Sequence, residues 1–272
     1  MSLTAAAYEY VRQLAERESA LALGDGKAYL VEARLAGIAQ RESCSSVSEL
    51  IAVMPRRSAA LRDDVVEALT TNETSFFRDV HPFEALRDVL LPGALAARGR
   101  ASVWCAAAST GQEPYSVAMV AADSFPNAEV SILATDLSRD VLGRAEQGVF
   151  SQLEVNRGLP AAKLVRHFER VGLRWRVKED IRRRVRFRQL NLARTWPELP
   201  RMDVILLRNV LIYFDAAAKR AVLARVRRVL APDGALFLGT AETTYGLVEG
   251  WDRVYVNGAS FYRPAHIDER QP

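Results

Sequence analysis

Apolar positions change their spacing once along this chain, and the change separates two kinds of architecture. Up to about residue 70 they recur every three to four residues, the period of a helix face. The recurring sets are Tyr8, Val11, Leu14 and Ala15, then Val31, Leu35 and Ile38, then Leu61, Val65 and Leu69. Ser46 to Glu49 (SVSE) reads as a capping box opening a further short helix. From Ala101 onward apolar runs alternate with amphipathic stretches: a strand over 101–107, a helix over 114–125, a strand over 129–135 and a helix over 138–147. Alternation of this kind predicts a doubly wound parallel sheet.

The pattern then breaks. Pro160 to Val171 reads as helical, and Leu173 to Leu190 alternates charged and apolar residues at both ends. That predicts a small antiparallel unit feeding a main-sheet strand near Val185 to Leu190. The α/β alternation resumes with a strand over Met202 to Leu207, a helix from an Asp215 N-cap to Leu230, a turn at Pro232-Asp233-Gly234 and a strand over Ala235 to Thr240. Val254 to Val256 and Ser260 to Arg263 flank Asn257-Gly258 as a closing hairpin. The expected fold class is α/β, with an all-α N-terminal domain and linker over residues 1–90 and a sheet domain over 91–272. The seam is expected just before Leu91-Pro92-Gly93, and residues 173–190 are expected to form an inserted small β subdomain.

Composition narrows the function classes. At 272 residues, 49% hydrophobic and 26% charged, the chain can bury two cores and has an ordinary globular make-up. No run approaches the roughly 20 apolar residues of a membrane helix, and the N-terminal segment lacks a positive region followed by an apolar one. A cytoplasmic protein without direct membrane insertion is expected. Cys44 and Cys105 are too few and too separated for a disulfide framework, and His81, His167 and His266 lack the clustered spacing of a zinc site, so no metal is expected. The net charge of +4 suits an acidic partner.

Candidate chemistry concentrates where strands end. Val103 to Ser116 (VWCAAASTGQEPYS) reads as a buried strand, a turn of small residues that lets a ligand approach the backbone, and a helix opening at Gly111. Glu113 stands in the first turn of that helix. The next strand, Val130 to Thr135, ends in Asp136, about where α/β cofactor folds place the carboxylate that holds a ribose hydroxyl. Only Gly111 remains of a GxGxxG fingerprint, which weighs against a pyrophosphate cradle and a dehydrogenase.

Thr70 to Arg78 (TTNETSFFR), Ala106 to Ser116 (AAASTGQEPYS), the ATD ending at Asp136, Asn191-Leu192 and Leu207 to Asp215 (LRNVLIYFD) follow one another in an order that resembles the chemotaxis receptor methyltransferases, the CheR family. The resemblance covers nearly the whole chain. It implies a Rossmann-like class I methyltransferase sheet, S-adenosylmethionine as cofactor, S-adenosylhomocysteine as product and glutamate carboxylates of chemoreceptors as acceptors. The implied partner is the cytoplasmic helical bundle of a chemoreceptor, met by a monomer, with no role for nucleic acid. Carried over by position, Asn72, Thr74 and Arg78 would contact the cofactor from the interdomain segment. Glu113 would bind its amino-acid part, Asp136 its ribose, and Asn191 and Leu192 would border the adenine. Arg208 and Asn209 would end the fourth strand, and Tyr213 would face the methyl group. Arg78 and Tyr213 read as orienting and electrostatic groups, since an ionised glutamate is already a nucleophile and needs no general base.

Each assignment has a structural competitor. Asp136 can be a helix N-cap, Arg208 the ion-pair partner of an acidic neighbour and Tyr213 a packed core tyrosine. Phe76, Phe77 and Phe83 read as core, Cys105 as a small buried hydrophobe, and His81 before Pro82 as a helix-start residue. The basic run from Arg174 to Arg188 reads first as a solvated face. In the family such a unit can dock a receptor's C-terminal peptide. Here the connection between Val171 and Trp175 is short, so tethering by a pentapeptide is not expected. Lys27, Arg34 and Arg41 recur every seven residues and would share one helix face toward an acidic receptor. Two rivals stand beside the methyl-ester reading: a methyltransferase acting on another substrate, and a non-catalytic signalling module that binds cofactor. Against base methylation, the fourth strand ends in RNVLIYF and not in an Asn/Asp-Pro-Pro-aromatic motif of the kind amino-directed enzymes use, and turnover separates the second rival.

Overall fold

The computed structural model describes residues 3–265; Met1, Ser2 and the tail containing His266 lie outside the described residues. The helical periodicities of the N-terminal part resolve into α1 (Ala5–Ser19), α2 (Ala28–Arg41), α3 (Val47–Val53) and α4 (Ala59–Ala68). Val11, Leu14, Val31, Leu35, Ile38 and Val65, positions that set those periods, are buried together in one core. Ser46 caps α3 as expected, accepting from the Glu49 N–H at 3.1 Å. The Glu49 carboxylate accepts from the N–H of Ser45 at 2.7 Å, one residue earlier than a standard capping box. Arg34 and Arg41, read as a docking face, have partners within the domain: Arg34 donates to Thr71 Oγ1 at 2.9 Å and to the Leu69 carbonyl, and Arg41, which stays exposed, pairs with Asp64.

The seam expected at residue 90 falls inside a helical stretch. α5 (His81–Ala85) passes through a π turn (Leu86–Leu90) into α6 (Leu91–Arg98), and Phe83, Leu86, Leu90 and Leu91 bury into the same core as the sheet. Pro92 has no N–H to donate, and the π turn just ahead of it absorbs the missing helical bond where a sequence reading sees a breaker.

The sheet is built from β1 (Arg100–Ala106), β2 (Glu129–Asp136) and, later in the chain, five further strands. Between them come α7 (Gln112–Ser124), α8 (Arg139–Gln147), β3 (Val149–Phe150), α9 (Gln152–Asn156), α10 (Ala161–His167), β4 (Phe168–Val171), β5 (Arg174–Val177) and α11 (Glu179–Arg182). The remaining elements are β6 (Val185–Gln189), β7 (Met202–Leu207), α12 (Ala216–Val229), β8 (Leu230–Leu238), β9 (Trp251–Val256) and β10 (Ala259–Pro264). The strands align in the order β6-β2-β1-β7-β8-β10-β9, parallel from β6 to β8, with β10 antiparallel to both neighbours. Asp215 caps α12, accepting from the Ala218 N–H at 2.7 Å. Asn257 and Gly258, at φ 49° and 81°, turn the final hairpin with both central residues left-handed.

Three expectations differ from the structure. Residues 173–190 do not form the small sheet by themselves: it is β3-β5-β4, drawn from 149–177, while the end of 173–190 is α11 and the main-sheet edge strand β6. Phe168 to Val171, expected as the end of a helix, is a strand because it pairs with β5; a four-residue strand carries no periodicity that outweighs the helical run before it. Pro232-Asp233-Gly234, expected as a turn before the strand, lies within β8, where the pairing with β7 jumps from Leu230 to Ala235.

Gly158 shows how tightly the inserted unit seats on the linker. It sits at φ +85°, and a Cβ there would lie 2.0 Å from the Phe76 carbonyl oxygen. Gly158→Ala is expected to destabilise the fold by about 2 kcal/mol or more, from the backbone strain and the overlap together, measurable as a lowered midpoint in urea unfolding.

Candidate active site

In a doubly wound sheet a ligand crevice opens at the carboxyl ends of the strands where the chain reverses its direction of winding. Here the chain runs outward from β1 to β2 and β6, then returns to β7 on the other side of β1. The cleft lies at that reversal. Its wall is formed by Ala106 and Ala107 after β1, Thr135 and Asp136 ending β2, Leu190 to Leu192 after β6, and Arg208 to Val210 after β7. Thr70 to Glu73 of the linker and Ser19 and Leu21 of the helical domain close it. Its empty volume, counted together with the open space at its mouth, is about 720 Å³.

Asp136 is buried at the end of β2, where its carboxylate accepts from the N–H of Ser109 at 2.8 Å and of Ser138 at 3.0 Å. The cap of α8 is Ser138, so Asp136 is not an N-cap. Burial pushes its pKa up, against the lowering effect of these N–H groups. Ser109, at φ 49°, ties the small-residue turn to the linker by donating its hydroxyl to the Asn72 carbonyl at 2.7 Å.

Arg208, 6% exposed at the end of β7, joins three segments. It donates to Glu113 Oε2 at 2.8 Å, to the Arg78 carbonyl at 3.0 Å and to Asp79 Oδ2 at 2.5 Å. Its Nε is buried without a partner among the described residues. Glu113 is likewise buried, and that burial pushes its pKa up while the Arg208 and Arg78 charges pull it down. The competing reading of Arg208 as an ion-pair partner thus holds together with its place in the cleft wall.

Asn209, at φ 59°, makes the turn after β7, and Tyr213 follows in a single 3-10 turn. Tyr213 is half-buried and lines the cleft, and its carbonyl accepts from the N–H of Ala22, so the helical domain pairs directly with this loop. Asn191 spends its side chain locally, donating to the Glu18 carbonyl at 2.7 Å and accepting from the Ala193 N–H at 2.9 Å. The structure therefore gathers Asn72, Asp136, Asn191, Leu192, Arg208, Asn209 and Tyr213 around one cleft. Thr74, Arg78 and Glu113 stand outside its wall, Glu113 and Arg78 one contact behind it through Arg208. Asp79, Ser109, Leu21 and Glu242 were not singled out by sequence pattern. Ser109 lies within the Ala106 to Ser116 block and Asp79 directly follows the block that ends at Arg78, whereas Leu21 and Glu242 carried no signal.

Two family models match the chain: "CheR methyltransferase, all-alpha domain" over residues 6–70 and "CheR methyltransferase, SAM binding domain" over residues 72–254. The chain belongs to the CheR methyltransferase family. It is 41% identical to chemotaxis protein methyltransferase 1 of Pseudomonas aeruginosa, across 97% of this chain and 99% of that protein. It is 38% identical to chemotaxis protein methyltransferase Cher2 of Pseudomonas putida, across 94% and 97%, and 37% identical to the chemotaxis protein methyltransferase of Vibrio parahaemolyticus, across 94% and 96%. The cofactor of this CheR domain is S-adenosylmethionine. The cleft suits a ligand with a ribose diol and a carboxylate: Asp136 offers an acceptor carboxylate, and Arg208, whose Nε–H has no partner among the described residues, is a cation in its wall. No helix among the described residues is long and apolar enough to cross a membrane.

Arg208→Ala leaves Glu113 buried without its partner, which is expected to cost about 3–5 kcal/mol of stability. Glu113 then titrates higher still, and its penalty is present above that raised pKa and relieved as the carboxyl takes a proton. The deficit relative to wild type is therefore expected to narrow from about pH 8 to about pH 5 in chemical denaturation.

Proposed function

We propose that this chain transfers the methyl group of S-adenosylmethionine to glutamate side chains of chemoreceptors, giving methyl esters and S-adenosylhomocysteine. The observation that carries this reading is the pair of family matches, one on each side of a cleft that both parts of the chain wall. The names of its relatives support chemotaxis as the setting. In this reading Asp136 holds the ribose, Leu192 and the backbone around Asn191 border the adenine, and Asn72 and Thr74 act from the linker. Glu113 acts on the amino-acid part, with Arg208 and Asn209 shaping that end of the site. Arg78 and Tyr213 orient the acceptor.

Bound S-adenosylmethionine supplies a methyl group activated by its sulfonium, and a glutamate with an ordinary pKa of about 4.3 is already ionised near neutral pH to accept it. The protein's task is placement and exclusion of water. Placement of this kind supplies roughly 7–11 kcal/mol in well-oriented reactions. The hairpin between β4 and β5 turns through Gly172 and Leu173 alone, which supports docking without a receptor pentapeptide. A cytoplasmic monomer acting on the receptor's helical bundle completes the proposal.

Radiolabelled methyl transfer from S-adenosylmethionine to receptor cytoplasmic fragments, with and without their C-terminal tails, tests it. Base-labile label that persists without the tail and is lost in Asp136→Ala is the expected result. Label confined to tailed fragments removes the tail-independent mode. Cofactor binding with no label on any receptor favours the non-catalytic module.

A further inference from the structure

The loop after β7 is held from behind by a carboxylate that no motif marks. Glu242, 9% exposed, lies beyond the end of β8. Its Oε2 accepts from the N–H groups of Asn209 at 2.8 Å and Gly239 at 2.6 Å. Its Oε1 accepts from those of Val210 at 2.9 Å and Ile212 at 3.3 Å. Four backbone donors thus converge on one side chain, three of them from the segment that leads to Tyr213. Gly239 makes the approach possible, since a Cβ there would lie 2.6 Å from Asn209 Nδ2 and 2.8 Å from Glu242 Oε2. Asn enters the left-handed region more readily than other non-glycine residues, yet the conformation still costs more than an ordinary helical or extended one. The turn at Asn209, φ 59°, has its N–H and that of the next residue both fixed by Glu242.

We infer that Glu242 is a positioning residue for methyl transfer: by binding the amides of Asn209, Val210 and Ile212 it sets the turn that presents Asn209 and Tyr213 to the cleft. The inference rests on the reading above that Tyr213 faces the acceptor. Carboxylate chemistry is needed here. Four N–H groups require acceptors on both oxygens, and an amide in the same place would aim its own N–H₂ at two of them.

Two measurements on the full chain test this. In Glu242→Gln, hydrogen exchange at the amides of Asn209, Val210 and Ile212 is expected to speed up about tenfold or more, with α12 and the body of β8 unchanged. In methyl transfer to a receptor fragment, Glu242→Gln is expected to lower kcat about tenfold or more with KM within about threefold, and Tyr213→Phe is expected to cost less in that background than in wild type. Unchanged exchange, unchanged kcat, or equal effects of Tyr213→Phe in both backgrounds, including none, overturns the inference. Should Glu242→Gln not fold, Gly239→Ala, which keeps the carboxylate and displaces the turn by its Cβ, is read by the same criteria. A wild-type protein that transfers no methyl at all, while its loop amides still respond to the substitution, refutes the methyltransferase reading and with it the catalytic consequence, leaving the clamp as a fold contact.

Discussion

The ion pairs of Arg208 are the constraint on which the site depends. A guanidinium taken out of water at the end of a central strand is costly unless it is paired, and two segments distant in sequence supply partners for its two terminal nitrogens: Glu113 from α7, Asp79 and the Arg78 carbonyl from the linker. Arg presents a rigid planar fork, so meeting all three partners fixes their relative positions as well as their charges. The linker that carries the candidate residues Asn72 to Arg78 is thereby referenced to β7 and α7 together.

That linker is not relaxed. Phe77, Asp79 and Val80 all have positive φ, and Val80, β-branched at φ 49° and ψ −58°, centres a three-residue turn closed by a bond from the His81 N–H to the Asp79 carbonyl at 2.5 Å. Conformations of this kind persist only where the surroundings over-determine them. Here the surroundings are identifiable: Arg208 grips Asp79, the Phe77 N–H donates to Ser116 Oγ at 3.0 Å, Lys163 lies over the Phe77 ring at 5.2 Å, and the Phe76 carbonyl is pressed against Gly158. Lys163 is itself held by Asp123, 2.7 Å away. Burial opposes ionisation of that carboxyl, but Lys163, His167 and Arg166 outweigh it and keep its pKa below the ordinary value. The inserted region therefore braces the linker together with Arg208.

The N-terminal helical domain is part of the same assembly. Leu21 bridges to Phe214, Ala22 donates to the Tyr213 carbonyl at 2.8 Å, and Asn191 donates to the Glu18 carbonyl. Ser19 and Leu21 consequently reach the cleft wall, and the loops after β6 and β7 are each tied to the end of α1.

Periodicity determined a great deal unaided. The helical positions of the first domain, the strands β1, β2 and β7, the Asp215 cap and the Asn257-Gly258 hairpin are local consequences of apolar spacing and of what short polar side chains and glycine do to a backbone. Motif blocks further identified the residues from Asn72 to Tyr213 as belonging together. What only the tertiary structure decided is how those groups are spent. Seven of them meet at one cleft, whereas Glu113 and Arg78 stand behind Arg208, and Asn191 is absorbed by the end of α1. The strand pairing and bounds of the small sheet, the π turn at Leu86 to Leu90 and the clamp at Glu242 were invisible for the same reason. Each depends on a partner far away in sequence or on a single short contact, and a hydrogen bond between distant segments leaves no period in either one.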